Sequence, residues 1–454
     1  MKKEKKRVYW VQSTSREMRV RALSQWLIIS LLLFMLAGCG GGSSGTTPTP
    51  TPAPPVPPTS AAFLSNRALD GSDAANTNFT FNIWTVNVDG TSATPLTRLT
   101  AFGADSASSS WSPDGRRVVF HSQRALDGSD AVNSNGTTNI WAVNADGTGS
   151  APLTHLMAAN ADNFAPVWSP DGRKIAFESS RALDGSDTAN TNDVRNIWVV
   201  NADGTGPTPL THLMAASVDN FAPVWSPDGR KIAFASTRAL DGSDAINTNA
   251  TLNIWIINAD GTGATPLTTL TAMNAFSVDA VWSPDGSKLA FDSRRALDGS
   301  DAANTNNIRN IWVVNADGTN AVPLTKLTAV SADCILPAWS PDGGKIAFGL
   351  GRALDGGNAA NVNDTLNIWT VNVDGTNATP LTLLMASGAS SLEATWSPDG
   401  SKILFGSSRA LDGGNAANIN NTRNIWVMNA DGSQPLPVTR ITALSNTLNG
   451  RWRP

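Results

Sequence analysis

Ala165-Pro166-Val167-Trp168-Ser169-Pro170-Asp171-Gly172-Arg173-Lys174-Ile175-Ala176-Phe177 sets two apolar runs on either side of Ser-Pro-Asp-Gly. In that turn sequence proline presets φ and glycine accepts a positive φ, so the stretch predicts two antiparallel strands, Pro166–Ser169 and Arg173–Ser179. Downstream, Asn196–Asn201 reads as a third strand, and Asp203-Gly204-Thr205 turns the chain again. Thr208-Pro209-Leu210-Thr211 is a short fourth strand whose proline belongs on an edge. Four antiparallel strands with no helix-period segment between them make one blade of a β-propeller.

The unit repeats. Trp84, Trp141, Trp198, Trp255, Trp312, Trp369 and Trp426 stand 57 residues apart, and Trp111, Trp168, Trp225, Trp282, Trp339 and Trp396 keep the same step. The next member of the second series arrives one residue early, as Trp452. A fixed period of this length overrides the several-domain expectation from chain length. The body opens at Ala61–Ser65, which matches a second strand, and ends at Trp452-Arg453-Pro454, which matches a first. Pairing those ends leaves no free edge, so the sequence predicts an all-β, seven-bladed propeller over residues 61–454, closed between its N- and C-terminal strands.

The motif Trp225-Ser226-Pro227-Asp228-Gly229, followed by Lys231-Ile232-Ala233-Phe234, Asn253-Ile254-Trp255, Asn258-Ala259-Asp260-Gly261 and Pro266-Leu267-Thr268, resembles the TolB-type propeller repeat. The resemblance covers residues 61–454 and implies the propeller fold; by analogy it implies a protein or peptide partner in the bacterial envelope. There are two departures. TolB has six blades and a separate N-terminal domain, and this chain carries a long insert between the second and third strands of every unit.

The N-terminus reads differently from the body. Residues 1–25 carry eight Lys/Arg and two Glu, and the remainder is left with a net charge of −10. An apolar run, Trp26 to Leu36, follows; it is short for a membrane span and suits the core of a signal peptide. It ends in Leu36-Ala37-Gly38-Cys39, which resembles the lipobox of bacterial lipoproteins. That resemblance implies cleavage after residue 38, acylation of Cys39 and anchoring in the lipid bilayer, with Gly40 rather than Asp after the cysteine pointing to the outer membrane. Residues 39–60 are rich in Gly, Ser, Thr and Pro, an extended tether reaching ~40–60 Å. The acidic body has no Lys/Arg run, which argues against nucleic acid as a partner. Cys334, the other cysteine, reads as a buried inert thiol.

The two tight turns of each unit fall on one face, and two long connections fall on the other, where binding residues concentrate. The first long connection repeats Arg-Ala-Leu-Asp-Gly and supplies paired aspartates: Asp70 and Asp73, Asp127 and Asp130, Asp184 and Asp187, Asp241 and Asp244, Asp298 and Asp301. In the last two copies the second member is Asn358 or Asn415. Such oxygens suit calcium, although the spacing matches no standard calcium loop; equally, they suit capping of their own turns with Arg67 and its equivalents paired to the nearby Asp. The second long connection carries Asp105, Asp162, Asp219 and Asp333 at one register; the resemblance to TolB-like propellers implies that it lies near the mouth of the central channel, where a partial acidic ring suits a cation or basic peptide and solvation of an open mouth accounts for it equally.

Catalysis has little support in the sequence. His155 and His212 share a register that other copies fill with Arg, Thr, Lys or Leu, and with His121 they read as tolerated surface positions. Glu178, Asp292 and His121 share one variable register but lie on separate units without triad spacing. The sequence favours a tethered, non-enzymatic binding or scaffold propeller. A calcium- or glycan-binding adhesive surface is the alternative, and an enzyme with an unfamiliar channel site the third reading.

Overall fold

A computed structural model describes residues 60–190, 192, 194–443 and 445–454. They form seven four-stranded antiparallel sheets arranged as a seven-bladed propeller. Thr447–Trp452 pairs with Ser60–Ser65, which pairs with Asn82–Asn87, so the two ends of the body complete blade one as the repeat phase requires. The first strand opens at Ser60, one residue before the expected start. The expected signal segment and lipidated Cys39 lie outside the described residues.

The two tryptophan series do different work. Third-strand tryptophans from Trp84 to Trp426 are fully enclosed between blades. Each is roofed by the arginine of its own long connection, as Arg124 lies 4.6 Å from the centroid of Trp141. Five first-strand tryptophans, Trp225, Trp282, Trp339, Trp396 and Trp452, tie blade to blade: the Trp282 indole donates to the Val224 carbonyl at 3.2 Å, and Trp452 to that of Thr395 at 3.0 Å.

Fourth strands are only two residues long, as at Thr208–Pro209, because proline ends the ladder. Side chains take over the pairing. Asn196 accepts from the Thr211 hydroxyl and the Leu213 N–H and donates to the Leu213 carbonyl, while Thr211 accepts the Ile197 N–H. Equivalent Asn–Thr clamps occur in every blade, which explains the recurring Asn-Ile-Trp and Pro-Leu-Thr elements.

Every first strand carries a bulge at its third residue, where the register slips. Ser108, Ala165, Ala222, Asp279, Leu336, Glu393 and Asn449 adopt φ between 48° and 62° there. A side chain in this region costs about 1 kcal/mol, and the repeat contains no glycine at this position to relieve it. The bulge frees a backbone N–H at the channel wall.

Candidate functional site at the channel mouth

Both long connections lie on one face, as the alternation of strands demands, and the four expected mouth aspartates sit there, partly buried. Each stands just before the first strand of one blade and reaches back to the blade before it. Asp105 accepts the Phe81 N–H, Asp162 that of Thr138, Asp219 that of Arg195 and Asp333 that of Arg309, all within 2.7–2.8 Å. They cap the backbone just before the third strand. Burial pushes the Asp105 carboxyl up, against the pull of the Phe81 N–H.

What distinguishes the blades chemically is a set of arginines at the residue before the third strand. Blades three, five and seven place Arg195, Arg309 and Arg423 there, where other blades have Phe81, Thr138, Leu252 or Leu366. Each guanidinium pairs with a buried carboxylate: Arg195 with Glu178 at 3.3 Å, Arg309 with Asp292 at 3.4 Å, Arg423 with Glu393 at 3.2 Å. The acids are at most 1% exposed and the arginines 22–27%, so incoming solute meets guanidinium rather than carboxylate. Arg195 also lies over the rings of Phe164 and Phe221, at 4.7 and 5.8 Å, which places it above the first strands of blades three and four.

The three units differ beneath the arginine. Glu178 accepts the freed bulge N–H of Ala222 on the next blade at 2.8 Å, and Glu393 accepts that of Asn449 at 3.0 Å. Asp292 is one methylene shorter, and its second partner is Asp279, the bulge residue of its own blade. Burial first, and then the Asp292 charge, hold Asp279 well above the usual carboxylate range, so Asp279 keeps its proton and donates it to Asp292. The remaining Oδ1 of each has no hydrogen-bond partner. Burial also raises Glu178 and Asp292, with Arg195 and Arg309 respectively opposing the shift.

His121 is not a surface position. Its ring meets Phe164 edge-on at 5.5 Å, and burial together with Arg195 lowers its pKa to about 3, so it is neutral. Cys334 is buried, with its thiol pushed up to about 12 by burial, in agreement with an inert role. His155 and His212 are exposed.

In the paired aspartates of the first long connection the two members act separately. The first caps its own turn, as Asp127 accepts the Ser129 N–H at 2.8 Å; Asp70, Asp184, Asp241 and Asp298 do the same. The second reaches the preceding blade. Asp130 accepts from Thr100 and Ala101, Asp187 from Met157 and Ala158, Asp244 from Met214 and Ala215, and Asp301 from Thr271 and Ala272. Asn358 and Asn415 make the same bond, and Asp73 makes it to Thr442 across the ring closure. Among the described residues, no group of three His, Cys, Asp or Glu stands close enough to hold a metal ion. The arginine of this connection is not paired with its aspartate: Arg124 donates to the Gly128 carbonyl and to the Ser150 hydroxyl.

Glu178, Asp292 and His121 were visible in the sequence as one variable register. Arg195, Arg309, Arg423, Asp279 and Glu393 were missed, although departures from the repeat at two further registers mark them.

No protein-family model matches the chain. An uncharacterised protein of Agrobacterium fabrum is 29% identical over 44% of this chain and 58% of its own length. The Tol-Pal system protein TolB of Anaeromyxobacter dehalogenans is 31% identical over 26% of this chain and 21% of its own. The chain thus spans less than two thirds of either relative. Among solved structures, a puromycin hydrolase superposes with a TM-score of 0.55 at 12% identity, covering 84% of this chain and 52% of that one, a likeness of fold alone.

Proposed function

We propose that this TolB-like seven-bladed propeller is a non-enzymatic binding protein of the bacterial cell envelope, tethered through acylated Cys39 to the bilayer, in the outer membrane. It engages a protein or peptide partner through the face of its long connections. The observation that carries this reading is convergence. Arg195 and Arg309 stand beside Asp219 and Asp333, which accept their backbone N–H groups, and the Arg309 guanidinium lies 3.9 Å from the Asp333 carboxylate at the channel mouth. The TolB relative, a Tol-Pal system protein, supports an envelope setting and a protein partner. The Asp279–Asp292 pair is closed over by its surroundings, so a substrate would not reach it without rearrangement.

The test uses the full lipidated chain in intact envelopes. Crosslinking should capture a defined protein, and the paired exchange Arg195→Gln/Glu178→Gln, which removes a mouth guanidinium without stranding its buried carboxylate, should weaken that capture while the circular dichroism stays that of the parent. Capture that survives this variant unchanged would remove the mouth from the binding site. Separately, Cys39→Ser should move the chain from the membrane to the soluble fraction.

A further inference from the structure

Exposed large apolar side chains are not scattered over this molecule. Of thirteen among the described residues, eleven lie in the two long connections, none in the tight turns, and only Val322 and Leu436 lie elsewhere, on fourth strands. Phe102, Met273 and Ile419 are 80%, 66% and 70% exposed, and Met157, Met214 and Met385 occupy one register on three blades. Concentration of apolar surface on one face marks an interaction site more strongly than its total amount does.

The backbone beneath these side chains is fixed from both sides. The Met157 N–H is held by Asp187 of the next blade and its carbonyl by Asn135 of its own, at 2.9 and 2.7 Å. Met214 is held by Asp244 and Asn192, and Met385 by Asn415 and Asn363. Rigid backbone with adaptable methionine side chains lowers the ordering cost of docking while tolerating varied apolar partners.

The electrostatic surroundings select among occupants. In the long connections, twelve aspartates are exposed against three exposed bases, Arg98, Lys326 and Arg440. Such a surface repels anionic lipid and attracts a cationic contact. The described body also starts on the opposite face: Ser60 accepts the Arg453 N–H, and Arg453 donates to Gly115 in the Ser-Pro-Asp-Gly turn.

We propose that the long connections form an apolar docking ring for a protein partner whose contact segment is apolar and flanked by lysine or arginine. This rests on the binding reading above and names the chemistry of its partner.

The probes are a synthetic Leu/Lys amphipathic peptide, its Leu/Glu counterpart, and anionic or zwitterionic vesicles, each titrated against the full chain. The Leu/Lys peptide should bind about tenfold or more tightly than Leu/Glu, and Met157→Ser/Met214→Ser/Met385→Ser should weaken it about tenfold with unchanged Tm. The control Val322→Ser/Leu436→Ser, exposed but off the ring, should bind as the parent does. Equal binding of both peptides, or insensitivity to the methionine variant, overturns the proposal. So does vesicle binding, or self-association in sedimentation, that the methionine variant abolishes, because bilayer or a second copy is then the occupant. A crosslinked envelope partner that depends on the mouth arginines but not on the methionines would keep the binding function and reject the ring.

Discussion

The channel wall and the loop rim of this propeller both use aspartate and glutamate, on opposite terms. At the wall, Glu178, Asp279 and Asp292 are buried, and burial raises their pKa values. At the rim, partial burial works against Asp130 and Asp301, but bonds from Thr100 and Ala101, or Thr271 and Ala272, outweigh it and hold both carboxyls below the usual range. The wall differs from blade to blade; the rim bond recurs in all seven. Repetition therefore closes and stiffens the ring, and departure from repetition places the guanidinium groups of Arg195, Arg309 and Arg423 over buried carboxylates at the wall. A carboxyl raised on folding gives stability present at low pH and lost as pH rises through its folded value; a depressed one gives stability lost as pH falls. The two regions oppose each other in acid.

The largest expected effect is at the wall. Glu178→Ala strands a partly buried Arg195 and an unpaired Ala222 N–H, and should cost about 3–5 kcal/mol in urea unfolding. A loss no greater than that of a rim variant would erase the distinction between the regions. Asp279→Asn should go the other way: asparagine can donate to Asp292 as the protonated acid does and tolerates the left-handed backbone that Asn449 adopts at the same register. Melting curves should show parent and variant converging below pH 3.8, the ordinary value for the group, and the variant increasingly more stable as pH rises toward neutrality.

Rim effects should be smaller. Asp130→Ala removes the bonds to Thr100 and Ala101 at an exposed site and should cost about 1 kcal/mol. Asp130→Asn should cost less, since Asn358 and Asn415 already serve there. The gap between Asp130→Ala and the parent should also close as pH falls below 3.8, but with the opposite sign from the wall variant, the parent being the more stable of the two at higher pH. Smallest of all, EDTA should leave Tm unchanged, because the second carboxylate of each rim pair is held by backbone N–H groups of the neighbouring blade; a chelator-dependent loss would reinstate calcium and rewrite the rim.

Strand order, blade number and ring closure were all legible in the sequence because each rests on local, repeated signals: turn residues, a tryptophan ruler, and complementary ends. Third-strand limits were read to the residue at Asn196–Asn201. First strands were read short, since Asn163–Pro166 of blade three carries the bulge and lacks clean alternation. The long connection's arginine was read as an ion-pair partner of its aspartate. In the fold an indole face stands where its guanidinium lies, and a flat cation gains more from that face than from an exposed carboxylate.

By itself, then, the sequence determined the propeller and the face on which its elaborate connections gather, since both follow from a period and from strand alternation. Only the tertiary structure decided which charges meet. Glu178 finds Ala222 at a separation of 44 residues, and Asp73 finds Thr442 at 369, contacts that exist because a closed ring makes each blade the neighbour of the next. The single methylene by which Glu178 exceeds Asp292 is plain in the sequence. Whether a carboxyl bonds across to the next blade, as Glu178 does, or to its own bulge, as Asp292 does to Asp279, depends on distances that only packing fixes.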